Sequence, residues 1–127
     1  MRSRLLWLSL GAVLALPAGA HHSGAAYDRD KSVTVNGTVN AVEWTSPHAW
    51  IKVDAKNDTG AVVTWEFELP SPVTLTRRGW SKTALAPGDK ITVIGAPARE
   101  HPNIAIATAV IDQTGRRLFG GAADSKD

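Results

Sequence analysis

Between Val33 and Trp44 the apolar residues change faces. Val33, Val35 and Val39 share one parity, whereas Val42 and Trp44 have the other. Side chains of an extended chain alternate with a period of two, so a change of parity within one strand requires a bulge or a sharp bend. Gly37 is the natural bending point in this stretch. A long, bent first strand is what a small closed barrel needs, because that strand must pair in both halves of the sheet. A flat two-sheet sandwich has no such requirement.

The remaining segments fit the same plan. A second strand is predicted from His48 to Ala55, after the turn Thr45-Ser46-Pro47, and a third from Ala61 to Leu69. Between them lies Lys56-Asn57-Asp58-Thr59-Gly60, which has hairpin chemistry. On the third strand Val63, Trp65, Phe67 and Leu69 alternate with Val62, Thr64, Glu66 and Glu68, which places the first set inward and the second outward. Ser71 followed by Pro72 predicts a helix N-cap and first turn, and Gly79 sets the helix end after Arg78. At about two turns this helix depends on tertiary packing, with Leu75 and Trp80 plugging one end of the barrel. Ala86-Pro87-Gly88-Asp89 turns the chain into a fourth strand, Lys90 to Ala96, and a fifth runs from Ile104 to Ile111. Gln113-Thr114-Gly115 then turns the chain back toward Leu118-Phe119. Strand, strand, strand, short helix, strand, strand is the order of a five-stranded OB-like, all-β barrel. The expected organisation is a leader at 1–20, an extended N-terminal arm at 21–32, the barrel at 33–119 and a disordered tail at 120–127.

The leader is read from Arg2 and Arg4, the 12-residue apolar run Leu5–Leu16, Pro17, and the small residues Ala18 and Ala20 at an A-x-A cleavage pattern. Twelve apolar residues fall short of the about 20 that span a bilayer. Export to the periplasm or beyond is therefore expected, with His21 as the new N-terminus. The leader also carries the charge excess. The chain has 14 Lys+Arg and 12 Asp+Glu. Arg2 and Arg4 leave with residues 1–20, so residues 21–127 hold 12 of each. A nucleic-acid partner needs a basic footprint that survives processing, and none does. The chain has no cysteine, and its one methionine is the initiator. Thiol catalysis, disulfides and thiolate metal sites are excluded, so any metal must take nitrogen and oxygen donors.

His21-His22-Ser23, Tyr27-Asp28, Gly37-Thr38-Val39, Glu43-Trp44-Thr45-Ser46-Pro47-His48-Ala49-Trp50 and Trp65-Glu66-Phe67-Glu68-Leu69 stand together in this order. So do Ser71-Pro72, Arg77-Arg78-Gly79-Trp80, Leu85-Ala86-Pro87-Gly88-Asp89 and Leu118-Phe119. In these motifs the chain resembles a family of small secreted proteins of Gram-negative bacteria known only as a domain of unknown function. Gly24 departs from it, where the family more often has an aromatic. The resemblance implies export and a small β domain, and it implies no activity.

The residues themselves point to binding. After cleavage, His21 offers an amine with a pKa near 8 and an imidazole that can close one chelate ring around a metal. Adding His22 gives a nitrogen-rich set suited to Cu(II), Ni(II) or Zn(II). His48 is the remote histidine that strand parity places on one outward face with Trp50, Glu66 and Glu68. Two hairpin registers are open, one setting His48 opposite Glu68 and the other setting Trp50 opposite Glu68. The candidate metal set is therefore His21, His22, His48 and Glu68. The same face, through Trp50, Glu66 and Glu68, is the alternative site for a glycan, a peptide or a periplasmic protein partner. An arm laid across it would set Tyr27 against Trp50. No catalytic motif occurs, and a copper oxidative centre on His21 ranks last among the readings. His101, in a loop flanked by Pro97 and Pro102, is expected to be exposed and inert. The mass of the exported protein checks the boundary: it should equal residues 21–127, and a mass retaining Ala20 or beyond would remove the N-terminal chelate.

Overall fold

The computed structural model describes residues 23–120. The expected leader, His21, His22 and the tail from residue 121 lie outside the described residues. Among the described residues six strands form one sheet: β1 (Val33–Glu43), β2 (Trp50–Lys56), β3 (Val62–Glu68), β4 (Lys90–Pro97), β5 (Ile104–Asp112) and β6 (Arg117–Gly120). A helical turn, α1 (Ser23–Ala26), precedes β1, and α2 (Pro72–Arg77) lies between β3 and β4. Order in the sheet is β3-β2-β1-β4-β5-β6, and a parallel β3–β5 pairing closes the first five strands into a barrel.

β1 behaves as its sequence demands. Residues 33–38 pair antiparallel with β4, and residues 38–43 pair with β2. The register on β2 shifts between Val39 and Ala41, which leaves Asn40 as the extra residue. That bulge turns Val42 and Trp44 back toward the core, against which both are packed. Gly37 has a different role from the bending point expected of it. It lies at the handover between the two pairings, where a Cβ would press on the Asp54 carbonyl oxygen and stand 2.6 Å from Val53 Cγ1.

The core is the barrel interior. Val35, Val39, Ile51, Val53, Phe67, Leu69, Ile91, Val93 and Val110 are all buried there. Each such side chain contributes about 1.5–3 kcal/mol by leaving water. The helix caps one end. Ser71 Oγ accepts from Thr74 N at 3.2 Å, Pro72 opens the first turn, and Leu75 is fully buried. Gly79 adopts φ +87°, the left-handed conformation that ends the helix. Trp80 then folds under, its amide donating to Leu75 O and its indole N–H to Leu118 O. Its ring meets Phe119 edge-on, with centroids 6.4 Å apart.

Two elements go beyond the sequence reading. The arm is not extended throughout, since residues 23–26 form a helical turn. Leu118 and Phe119 belong to a sixth strand paired to β5, which brings Phe119 into the core beside Trp80. Gly37→Ala should lower the urea midpoint by an amount equivalent to about 1–3 kcal/mol with an unchanged slope, because the added methyl meets backbone that cannot yield. An unchanged midpoint would place the β1 handover elsewhere.

Candidate functional site

The hairpin register is the one that sets Trp50 opposite Glu68, with Lys52 opposite Glu66 and Asp54 opposite Thr64. His48 lies just before β2, so Glu68 is its diagonal neighbour. This outward face is where the arm lands. Tyr27 forms an antiparallel bridge with Ala98, Asp28 N donates to Pro97 O at 2.8 Å, and Arg99 N donates to Ala26 O at 2.9 Å. The Asp28 carboxylate adds Lys31 Nζ at 3.2 Å and Arg99 at 3.5 Å. The Lys31 contact, followed by the Arg99 charge, holds its pKa below the usual carboxylate value. The arm is thus zipped to the end of β4 by backbone bonds and fastened by one carboxylate.

That docking delivers Tyr27 to Glu68. The phenol is 5 % exposed and its hydroxyl donates to Glu68 Oε2. Glu68, which its place in the alternation marked as an outward, solvated acid, is itself only 5 % exposed. The correction has a simple cause: β3 alternates as expected, but the arm covers that end of its outer face. Burial, then the bond to Glu68 and the carboxylate's charge, push the Tyr27 phenol far above its ordinary pKa of 10. Tyr27 therefore serves as a permanent donor.

The second carboxylate oxygen faces His48. Glu68 Oε1 is 3.2 Å from His48 Nδ1, and the Leu69 carbonyl oxygen is also 3.2 Å from that nitrogen. Two acceptors around one ring nitrogen require that it carry the proton. The N–H is directed at Leu69 O; Glu68 Oε1 lies beside it, buried and with no hydrogen bond among the described residues. Nε2 is then the nitrogen left with a lone pair, on a side chain 40 % exposed. Trp50 and Glu66 are half-buried on the same face. Lys52 bonds Glu43 at 2.8 Å, and that contact, with the Glu66 charge, raises the lysine pKa.

The structure thus brings together His48 and Glu68 from the sequence-predicted set, with Trp50 and Glu66 beside them. His21 and His22 lie outside the described residues. Among the described residues no group of three His, Asp or Glu side chains is arranged to hold a metal. His101 is exposed. Tyr27 is the participant that sequence reasoning placed on this face without its partner: its hydroxyl reaches Glu68, the residue opposite Trp50. The available signal was a lone tyrosine in an otherwise small and polar arm.

A closed OB-like barrel with an arm sealed over one end of its β2–β3 face is the class these features define. The chain belongs to a family of unknown function, DUF6152, which matches residues 10–106. No curated protein matches the chain. Among solved structures it is similar to the mitochondrial single-stranded DNA binding protein Rim1 of S. cerevisiae. The TM-score is 0.49 at 8 % identity, over 72 % of this chain and 96 % of that one. The barrel is defined by its own strand pairing, and that likeness adds nothing about ligands.

Tyr27 is the only tyrosine in the chain, so phenolate absorbance reports it alone. In the folded protein little phenolate should form at about pH 11, where an unperturbed tyrosine is mostly ionised. A pKa raised on folding stabilises the fold fully below the unfolded value of about 10, and that contribution is lost as pH rises through the folded value. Tyr27→Phe should cost about 1.5–3 kcal/mol near neutrality and flatten this alkaline decline relative to wild type. An ordinary titration near pH 10 in the folded protein would show that the arm does not hold Glu68.

Proposed function

We propose that the protein is exported to the periplasm and acts there as a metal-binding module. Its site joins His48 to the terminal amine and imidazoles of His21 and His22. The observation that carries this reading is the state of the His48 ring. A metal-binding histidine typically gives its other N–H to a carbonyl or carboxylate, which fixes the tautomer and raises the basicity of the ligating nitrogen. His48 directs its Nδ1–H to the Leu69 carbonyl, with the Glu68 carboxylate beside it, leaving Nε2 for the metal. In this reading Glu68 stands behind the imidazole rather than on the metal, which revises its role as a candidate ligand.

The arm supplies the second half of the argument. Tyr27 is anchored on the carboxylate that also faces His48. His21 is six residues earlier, within about 20 Å of Tyr27 even for a fully extended chain. Cu(II) is the favoured ion, because a nitrogen donor set binds it more tightly than Ni(II) or Zn(II). The remainder of the β2–β3 face supports a second reading, a ligand or protein partner lying across Trp50 and Glu66, because Trp50 stays partly exposed there.

Calorimetry with Cu(II) on protein beginning at His21 tests the metal reading. His48→Ala should reduce binding to that of a flexible His-His end, and Glu68→Gln should weaken it by about 10–100-fold through the imidazole. Equal, weak binding in wild type and His48→Ala would refute it.

A further inference from the structure

The barrel is plugged at one end by α2 and Trp80. Burial along β3 rises from exposed Val62 through half-buried Trp65 to fully buried Phe67. Leu75 and Trp80 fill the end that Phe67 and Leu69 reach. At the opposite end, where β2 finishes and β3 begins, lies a cavity of about 430 Å³. Barrel mouths of this size are common places for small ligands.

The floor and rim of this mouth differ in kind. Trp65 forms part of the floor, and its ring stacks on Phe67 with centroids 5.9 Å apart at 18°. One indole face is thereby used within the protein while the residue still lines the cavity. The rim is polar and carries Asn36, Lys56, Asn57 and Asp58. Asn36 Oδ1 accepts from Thr92 Oγ1 at 2.6 Å. Asn57 Oδ1 accepts from Thr59 N, Thr59 Oγ1 and Ala61 N at 2.7–3.0 Å. Both amide oxygens are committed inside the protein, so each asparagine has its NH2 group left to donate. Lys56 adds a further donor, Asp58 an acceptor, and their charges cancel.

We propose that this mouth is a carbohydrate subsite for one neutral pyranose ring. A pyranose presents apolar C–H groups on its faces and hydroxyls around its edge, which matches an aromatic floor inside a polar rim. The ring stacks on Trp65; its oxygens accept from the Asn36 and Asn57 amides and Lys56, and one hydroxyl donates to Asp58. A nucleobase can also stack on tryptophan, but it brings phosphates, and the balanced Lys56–Asp58 pair offers them no net positive charge. The site opens where β3 begins and shares no residue with the metal reading, so the two stand or fall separately.

The test is a nitrogen-15 correlation NMR titration of metal-free protein beginning at His21, with maltotriose and with triacetylchitotriose as probes. Saturable shifts are expected at the Trp65 indole N–H and at the side-chain NH2 groups of Asn36 and Asn57 with at least one probe. Trp65→Ala should weaken binding by about tenfold or more. Because Trp65 also packs on Phe67, the double variant Lys56→Ala/Asp58→Ala, at exposed rim positions, provides a second measure and should weaken binding several-fold with the fold intact. The proposal is overturned by an absence of saturable shifts at these three residues with both probes. Affinity unchanged in the rim variant, or shifts centred on Trp50, would also overturn it.

Discussion

Three residue pairs close this barrel. Glu66, Phe67 and Glu68 lie beside Ile104, Ala105 and Ile106 in the parallel β3–β5 seam. Every other strand contact joins strands already adjacent in an open sheet. On the inner side the seam buries Phe67 and Ala105 completely. On the outer side it leaves Glu68 at a place where the arm, bridged to Ala98 just past β4, crosses it. Closure, core and candidate site therefore share the same short stretch of β3.

A seam this short needs support from both sides. β1 pairs with both β4 and β2, its register on β2 shifted at the Asn40 bulge and its backbone passing close to Asp54 at Gly37. The α2 cap fills the end beneath Phe67 and Leu69. The arm adds an outer layer through Tyr27, Asp28 and their bonds to residues 97–99. The Asp28 pKa is lowered on folding, so its contribution is present above the unfolded value and lost as pH falls through the folded one. The Tyr27 contribution is lost at the alkaline extreme, and the arm is held across the range between.

Most of the barrel was legible because its signals are local and periodic. The parity change from Val39 to Val42, the alternation from Val62 to Leu69, and Ser71-Pro72 with Gly79 each specify an element through a nearest-neighbour rule. Asn40 was missed as the bulge residue because parity fixes only the interval from Val39 to Val42 and not the position inside it. β6 was read only as a turn back because four residues carry too little period to count as a strand. Glu68 was misjudged for a different reason. Alternation tells which face a side chain takes, but not whether a segment 41 residues away covers that face. The sequence held Tyr27 and Glu68 in view separately, and only the bridge to Ala98 joins them.

The burial of Glu68 is hard to explain by stability. Desolvating a carboxylate costs several kcal/mol, and replacing a buried ionic group with apolar residues of similar volume is often neutral or stabilising. The neighbouring Leu69, Phe67 and Ile106 show that apolar residues fit this seam. Glu68 satisfies one oxygen with Tyr27 and leaves the other, buried, against an imidazole with no hydrogen bond of its own. A group placed only to hold the arm would need the first contact and not the second. The Oε1–His48 contact involves no atom of the arm; it sets a carboxylate oxygen 3.2 Å from the Nδ1 that also faces Leu69 O. This asymmetry marks Glu68 and His48 as a paired contact that docking of the arm alone does not account for.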